Sequence, residues 1–433
     1  MLFGFGKNRR VVGIGLDGVP HSLVRRLMDQ GMMPNMKALA EQGTFKQINS
    51  VFPTVSNVAW ASFQTGKNPA GFGVFGFAEL QRDYDLVIPN HADIKCRTIW
   101  QQLSKAGRKF AALGIPLTYP APEVDGLVVS GFLAPELDER AVSQPDALQR
   151  LSRTAYEIDI NPSVAIESID RFKEDLTRVS RARQKTALSL LDEENGWDFF
   201  FLHVMDTDRI NHFMWQCQHE EEGENRDFFF DFYRQIDRFI GEVKEKIGSD
   251  YGLLICSDHG FCDLKWEFQI NRWLKSRGYL DYENDPARMY KAVKPGSRAV
   301  SLVPGRVYIL TEAKWDGGSV TEKEYEPFRK ELMDALRAIR HPQTDEVVCK
   351  QVMRREEAFK GRFLDAAPDI VIDPCDGFDL KAKLGAGHLF EKGPRTGMHT
   401  YGDAMLLVTE ELESIAAAKS IADVGRLTAK YVV

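Results

Sequence analysis

The chain has 433 residues, of which 43% are hydrophobic and 27% are charged, and this ordinary globular composition excludes a disordered or fibrous protein. Its 56 lysines and arginines against 63 aspartates and glutamates give a formal net charge of −7. A protein that binds nucleic acid by neutralising phosphates is normally basic, so no nucleic-acid partner is expected.

Short apolar runs alternate with helical patterns along most of the chain. The runs predict strands at Val11–Leu16, Phe110–Ile115, Leu127–Ser130, Asp198–Val204, Leu253–Ser257, Asp369–Ile372 and Ala404–Val408. Helices are predicted after Asp17-Gly18, from Pro34 to near Gly43, over residues 57–65, and over Ile169–Leu191 and Phe228–Ile247. This alternation predicts an α/β fold in which helices cover both faces of a mostly parallel sheet.

Two parts of the chain interrupt this rhythm. Residues 79–108 and 136–165 are more polar, so we expect residues 79–165 to lie partly in a cap or surface excursion. Residues 264–345 form a second block, which begins with a helical pattern at Asn271–Gly278 and contains the turn signal Lys294-Pro295-Gly296. The prediction is therefore a core built from residues 8–263 and 346–433, with residues 264–345 inserted as a cap or subdomain.

The cysteine pattern and the N-terminus indicate the cellular compartment. Six cysteines are dispersed without a Cys-x-x-Cys pair, which is typical of reduced thiols in the cytosol. The first ten residues, MLFGFGKNRR, lack the apolar core of a signal peptide. No apolar run reaches the roughly 18 residues that a membrane span requires. We expect a soluble, cytoplasmic protein with no membrane segment.

Polar side chains stand at the ends of the predicted strands, where ligands bind in open α/β sheets. Their carboxylates and imidazoles are the donors that Zn²⁺ or Mn²⁺ accepts. Each motif alone is also typical of an ordinary turn or solvated helix, but their joint placement at strand ends favours a metal site. Asp208 and His212 are four residues apart, so on a helix they can chelate one ion. The candidate ligands are Asp17, Asp208, His212, Asp258, His259 and His399.

A nucleophile is indicated in the segment around Ser56. Residues 57–65 are predicted to form a helix that stops at Gly66, which makes Ser56 the helix N-cap. A capping role alone is one interpretation. The other is that Ser56, at the positive end of the helix dipole and beside a divalent ion, becomes an alkoxide nucleophile.

Taken together, these motifs resemble the alkaline phosphatase superfamily. The chain is most similar to its type I phosphodiesterase/nucleotide pyrophosphatase branch and to the prokaryotic predicted phosphohydrolase or phosphomutase relatives of that branch. The resemblance runs through GLDG at 15–18, FPTVSNVAW at 52–60, TGKNP at 65–69, SGFLAP at 130–135, DTDRINHFMW at 206–215, SDHGF at 257–261, APDIVI at 367–372 and GMH at 397–399. It implies an alkaline phosphatase-like core and two bound divalent ions, with Zn²⁺ as first choice and Mn²⁺ as the alternative.

The resemblance also implies a role for each candidate residue. The nucleophile is Ser56. Thr54 is the fallback, because relatives often have threonine at the nucleophile position and Thr54 lies two residues away. Asp206 competes with Asp208 as a ligand, but only Asp208 has the four-residue spacing to the histidine. One ion would be bound by Asp208, His212 and His399, and the other by Asp17, Asp258 and His259 together with Ser56.

Two positions depart from the family pattern. Nucleotide pyrophosphatases place an asparagine 21 positions after the nucleophile, against a phosphoryl oxygen, and Phe77 stands there in this chain. The residue before Gly73, usually histidine, is Phe72. The transferred oxygen would then be stabilised by the backbone N–H of Asn57, by Lys67 or by the metal ions alone.

The function that this implies is a two-metal phosphohydrolase acting through a phosphoseryl intermediate on a small phosphorylated substrate. A phosphodiesterase is the first choice, and a phosphomonoesterase or phosphomutase of the same superfamily is the alternative. A sulfatase is disfavoured because no Cys/Ser-x-Pro-x-Arg motif surrounds Ser56. The competing class is a non-catalytic metal-binding or regulatory module, which retention of every expected ligand type argues against.

Overall fold

The structure is a computed structural model that describes residues 10–193 and 196–433. The first nine residues, including the predicted start of the core at residue 8, lie outside the described residues. The strands are β1 (Arg10–Leu16), β2 (Thr44–Ile48), β3 (Glu79–Leu80), β4 (Leu86–Val87), β5 (Phe110–Ile115), β6 (Leu127–Ser130), β7 (Phe199–Val204), β8 (Tyr251–Cys256), β9 (Gly260–Asp263), β10 (Trp266–Gln269), β11 (Ala299–Leu302), β12 (Arg306–Ile309), β13 (Cys349–Arg354), β14 (Ile370–Pro374), β15 (Phe378–Lys381), β16 (Phe390–Glu391), β17 (Gly397–Thr400) and β18 (Ala404–Val408).

The α-helices occupy the connections between these strands. They are α1 (His21–Asp29), α2 (Pro34–Gln42), α3 (Ser56–Thr65), α4 (Pro69–Phe72), α5 (Ile99–Lys105), α6 (Ala147–Arg153), α7 (Val164–Glu167), α8 (Ile169–Glu193), α9 (Asp206–Met214), α10 (Glu224–Ile247), α11 (Ile270–Ser276), α12 (Glu322–Arg337), α13 (Arg355–Ala358) and α14 (Ile421–Val432). Among the described residues, none of the helices combines the length and apolar character that crossing a bilayer requires.

A seven-stranded sheet forms the centre of the fold, with the order β2-β18-β8-β1-β7-β5-β6. The five strands from β8 to β6 are parallel, whereas β18 runs antiparallel to both β8 and β2. The apolar strands are buried on both faces, with α1, α2, α8 and α10 packed on one side and α3, α5 and α14 on the other. The predicted α/β fold with a mostly parallel sheet is therefore confirmed.

The register of the central strands decides which loops meet. Leu16 of β1 pairs with Val204 of β7, and Gly15 pairs with Cys256 of β8. Because these strands are parallel, their carboxyl ends lie at one edge of the sheet, so the segments that follow them come together there.

A second unit has its own apolar core and two small sheets. One sheet has the order β11-β12-β14-β13 and the other β15-β10-β16. Strands β13, β14 and β15 lie in residues 349–381, which the sequence assigned to the main core, yet they pair with strands of this second unit. We propose that the inserted unit covers residues 264–395.

Candidate metal centre

Five elements bring the predicted ligands to one edge of the central sheet. Asp17 follows β1, and the next residue, Gly18, turns the chain with a φ of 64°. A Cβ atom at Gly18 would lie only 2.5 Å from Phe261, so both the backbone angle and the space favour glycine there. Asp208 and His212 lie on α9, Asp258 and His259 follow β8, Ser56 begins α3, and His399 lies on β17, which pairs with β9.

Ser56 is not the N-cap of its helix, so that prediction is wrong by one residue. Val55 has an extended backbone and its carbonyl accepts the N–H groups of Val58 and Ala59, which makes it the N-cap and Ser56 the first helical residue. The helix ends as predicted at Gly66, which has a φ of 63°. The Ser56 hydroxyl is therefore free of capping and donates to Asp17 Oδ1 over 3.0 Å.

The first cluster of donor atoms surrounds this hydroxyl. Ser56 Oγ lies 3.4 Å from His259 Nε2, which is 3.5 Å from Asp17 Oδ1 and 3.4 Å from Asp258 Oδ2. All four side chains are buried. Asp258 Oδ1 accepts a hydrogen bond from the Gly18 backbone N–H, whereas Asp258 Oδ2 is buried without a hydrogen-bond partner.

The second cluster lies beside the first. His399 Nε2 is 3.0 Å from His212 Nε2 and 3.1 Å from Asp208 Oδ1, and the His212 and Asp208 atoms are 3.3 Å apart. The imidazole rings of His259 and His399 stack with centroids 3.7 Å apart, which joins the two clusters. His259 also fits a second grouping, with Asp208 and His399, in which the ligand atoms lie within 4.8 Å of one another.

These spacings fit tetrahedral metal ions. Zinc binds nitrogen and oxygen at about 2.0–2.1 Å, and the corners of such a tetrahedron lie about 3.3 Å apart. The distances of 3.0–3.5 Å among the Ser56, Asp17, Asp258 and His259 atoms match this spacing. An ion there would also satisfy the unpartnered Asp258 oxygen. The residues present therefore fit a bound divalent metal.

The three imidazoles share one orientation. In each ring Nδ1 faces a backbone carbonyl: Gly397 for His212, Gly260 for His259 and Thr54 for His399, at 3.1 Å in every case. A proton on Nδ1 donates to that carbonyl and leaves the Nε2 lone pair for an ion, which is the usual support for a metal-binding histidine.

Burial and neighbouring charges set the pKa values of the site. Burial lowers the pKa of His212 well below its ordinary value, and burial together with the charge of His259 lowers the pKa of His399. Burial raises the pKa of Asp258 well above its ordinary value, and the Asp17 carboxylate raises it further. At His259, burial is outweighed by Asp258 and Asp17, which raise its pKa to about 9. A cation therefore belongs among these carboxylates, and a metal ion would displace the His259 proton.

Sequence reasoning missed the residues that fix Asp17. Asp17 Oδ2 accepts a 2.8 Å hydrogen bond from Trp60 Nε1 and lies 2.8 Å from His203 Nε2, which leaves Oδ1 toward Ser56. The other ring nitrogen of His203 is 2.9 Å from the carbonyl of Gly114, so His203 has no nitrogen left for an ion. No spacing in the sequence pairs this histidine with Asp17, and its signal in the sequence is an imidazole inside the apolar strand FFFLHV.

Buried ion pairs distinguish Asp206 from Asp208, the two aspartates of α9 that the sequence offers as metal ligands. Asp206 Oδ2 accepts from Arg183 over 3.2 Å, and Asp206 belongs to neither cluster. Asp208 Oδ2 accepts from Arg209 over 3.1 Å, and Arg209 also pairs with Asp159. One oxygen of Asp208 is thus held by the guanidinium while the other faces the histidines. Arg209 was not singled out from the sequence.

The structure places the other predicted residues, Thr54, Asn57 and Lys67, in different surroundings. The Thr54 hydroxyl donates to the Val51 carbonyl, outside both clusters. Asn57 follows Ser56 in α3, and its side chain donates to the Gly76 carbonyl over 2.7 Å. Lys67 follows the far end of α3, about 15 Å along the ten-residue helix from Ser56, and lines a separate surface cavity. The structure does not bring Lys67 to the cluster.

A cavity of about 330 Å³ opens beside the second cluster, where His212 and His399 form part of its wall. Phe77 lines this cavity, whereas Phe72 is fully buried in the core under the sheet. None of the residues that line the cavity comes from residues 79–165. The second unit contributes Val303, Pro304, Ile372, Asp373, Pro374, Asp379, Leu380, Lys381 and Arg395.

Comparison with known proteins gives the family. The model of the type I phosphodiesterase/nucleotide pyrophosphatase family matches residues 11–402, so the chain belongs to this family. It is therefore a metal-dependent phosphoric ester hydrolase. No curated protein sequence matches the chain.

Solved structures share the fold at low sequence identity. Phosphonoacetate hydrolase from Sinorhizobium meliloti 1021, in complex with phosphonoacetate, is 18% identical with a TM-score of 0.65, covering 98% of this chain and 96% of that one. An inactive variant of murine ectonucleotide pyrophosphatase/phosphodiesterase 5 in complex with AMP is 13% identical with a TM-score of 0.56, covering 98% and 95%. The human protein of that name is 12% identical with a TM-score of 0.55, with the same coverage. At these identities the likeness shows a common fold.

Proposed function

We propose that this member of the type I phosphodiesterase/nucleotide pyrophosphatase family is a two-metal phosphodiesterase with Ser56 as its nucleophile. The observation that carries the proposal is the spacing of the donor atoms. The Ser56 hydroxyl lies 3.0 Å from Asp17 and 3.4 Å from His259, and His259 lies 3.4–3.5 Å from Asp258 and Asp17. Asp208, His212 and His399 form a second set at 3.0–3.3 Å. Zn²⁺ is the metal that this nitrogen and oxygen set at tetrahedral spacing favours, and Mn²⁺ is the alternative.

The bound ions would supply Lewis-acid charge that lowers the pKa of the serine hydroxyl and neutralises the departing oxygen. The chain itself positions the nucleophile: Ser56 Oγ lies at the first position of α3, where the helix dipole stabilises negative charge. Asp17, fixed by Trp60 and His203, orients that hydroxyl through the 3.0 Å hydrogen bond.

The reaction then proceeds in two displacements. Ser56 Oγ loses its proton and attacks phosphorus, the bond from phosphorus to the leaving oxygen breaks, and that oxygen takes up a proton to leave as the alcohol. The product of this step is a phosphoseryl diester. Water next attacks that phosphorus, the bond to Ser56 Oγ breaks, and a proton returns to the serine oxygen. The backbone N–H of Asn57, in the first turn of α3, is the group we propose for the phosphoryl oxygen, because Lys67 lies at the other end of the helix.

The cavity beside His212 and His399 supports a diester as the substrate. A diester carries a second substituent on phosphorus, and this cavity offers Phe52, Phe77 and Met398 from the core together with Val303 and Leu380 from the second unit. Apolar walls of this kind favour an apolar or aromatic group.

The test is a side-by-side assay of an aryl phosphodiester, the matching monoester and a nucleoside triphosphate with Zn²⁺ or Mn²⁺. We expect the highest kcat/KM for the diester and weak activity on the triphosphate. In the same assay Ser56→Ala should lose turnover. Thr54→Ala is its matched control, because the Thr54 hydroxyl lies two residues away but outside both clusters. A higher kcat/KM for the monoester or the triphosphate than for the diester would refute the diesterase proposal. If the protein is purified without metal and then binds no added zinc, the result would support a regulatory module instead.

A further inference from the structure

Arg395 is a cationic side chain of the cavity without a counter-ion. The other cation of the wall, Lys381, is paired with Asp379 and lies 3.6 Å from Glu267. Among the described residues, no carboxylate lies within 4.0 Å of the Arg395 guanidinium, and no hydrogen bond holds it. The Arg395 side chain is partly buried, so it is not a fully solvated surface group either.

The backbone next to Arg395 is fixed relative to the metal centre. The N–H of the next residue, Thr396, donates to the His212 carbonyl over 2.7 Å, and its carbonyl accepts the N–H of Leu264 over 2.9 Å. Strand β17, which carries His399, begins two residues after Arg395. Arg395 and His212 both line the cavity. The guanidinium therefore stands on the side of the cavity that adjoins the second cluster.

A ligand that fills this cavity would take Arg395 out of water. An uncompensated buried cation is costly, so a neutral substituent packed against it would bind at a penalty. A substituent that carries an anionic oxygen group would remove that penalty, since the planar guanidinium can donate two parallel hydrogen bonds to a carboxylate or phosphate.

We propose that Arg395 binds an anionic group on the second substituent of the substrate, so that the preferred substrate combines a phosphoric ester with an apolar body and one further carboxylate or phosphate. This inference rests on the proposed function, because it assigns the cavity to the substituent of a diester. It makes Arg395 a specificity-determining residue for the proposed reaction.

Asp373 limits how much negative charge the cavity accepts. Its carboxyl lines the same wall, and burial raises its pKa to about 6. It forms no ion pair with Arg395. Near neutral pH the cavity thus presents one unpaired cation and one buried carboxylate, an arrangement that admits a single anionic group near Arg395 and disfavours a polyanionic tail.

The experiment measures binding by calorimetry to the zinc-loaded protein. The first probes are ω-carboxyalkyl phosphonates with two or three methylenes, and each is paired with the primary amide of the same length. A third set, ω-phosphonoalkyl phosphonates, carries a phosphonate in place of the carboxylate. We expect the wild type to bind the anionic probe at least about tenfold more tightly than its amide, as for a charge-assisted hydrogen bond. Arg395→Gln should abolish this preference by weakening the binding of the anionic probe, while the amide, which no longer buries an unpaired cation, should bind at least as tightly as it binds the wild type. Arg395→Lys should keep part of the preference. Arg362→Gln, an exposed arginine in a separate cavity, is the matched control.

Two outcomes would overturn the proposal. An equal loss of affinity for the charged probe and its amide in Arg395→Gln would show that Arg395 binds the phosphonate itself, and unchanged affinity for both would show that it binds neither. A preference for the bis-phosphonate or for the carboxylate identifies which anion the site takes. The proposed function fails separately, if the wild type binds these probes but hydrolyses no phosphodiester.

Discussion

Replacing Asp373 with asparagine should stabilise the protein at neutral pH and have little effect at low pH. Only 7% of Asp373 is exposed, and burial raises its pKa to about 6. Within the part of the chain that the structure describes, no hydrogen bond to this carboxylate offsets the burial. The unfolded chain releases the proton near the ordinary value of 3.8, whereas the folded protein holds it until about pH 6. Between these values the folded state binds more protons, so raising the pH through this window favours unfolding.

The size of the effect follows from the shift. About two pKa units at about 1.4 kcal/mol each give an upper bound of about 3 kcal/mol, and partial contact with solvent reduces this to roughly 1.5–3 kcal/mol. The free energy of unfolding of Asp373→Asn, relative to the wild type, should therefore rise between pH 4 and pH 7 and then stay constant. Chemical denaturation of both proteins measures this difference. A chelator is present so that metal release contributes to neither free energy of unfolding.

Asp250→Asn is the control, since Asp250 is exposed and its substitution should have a small effect that does not change across the same window. A stabilisation by Asp373→Asn that is the same at pH 4 and pH 7, or one that is larger at pH 4, would contradict the argument that burial of this carboxylate costs stability.

Three further predictions concern the metal centre. Ser56→Ala should lower turnover by orders of magnitude while thermal unfolding changes little, because this hydroxyl does not cap α3; near-wild-type turnover would move the nucleophile elsewhere. His399→Ala should weaken the ion bound with Asp208 more than the ion bound near Ser56, and anomalous diffraction from zinc-soaked crystals would show it as unequal occupancy, whereas equal occupancy would reject this ligand assignment. His203→Gln should lower zinc affinity about 10–100-fold in calorimetry by releasing one oxygen of Asp17, as is typical for residues that support metal ligands; an unchanged affinity would leave His203 a packing role.

Local patterns in the sequence are enough to place most of the candidate ligands relative to the strands and helices of the structure. Asp17 and Asp258 directly follow apolar runs that form β1 and β8, and the parallel register of those strands brings their ends together. The four-residue spacing of Asp208 and His212 needed only a helix, which α9 provides. His399 is different, because a two-stranded ribbon of β9 and β17 places it, and only the resemblance to a known family indicated its partners.

What the sequence missed depends on contacts between distant segments. The antiparallel direction of β18 and the membership of β13 and β14 in the second unit arise from strand pairing, which leaves little trace in apolar periodicity. His203 lies 186 positions from Asp17, so no spacing rule joins them. Lys67 shows the opposite error: it lies close to Ser56 in sequence, but a rigid helix carries it away from the site.

The two units of the fold contribute different parts of the proposed site. All the candidate metal ligands come from the ends of core strands, from α3 and α9, or from the β9–β17 ribbon, and none comes from the second unit. The second unit instead supplies walls of the cavity, such as Val303 and Leu380, together with Arg395, which lies just before β17. In the proposed function, the reaction and the choice of substituent thus depend on separate packing cores. Contacts that join the two units include the Arg306–Glu79 ion pair and the hydrogen bond from the Phe363 N–H to the Ala70 carbonyl. Substitutions in the cavity wall should therefore alter KM among substrates without changing the metal centre.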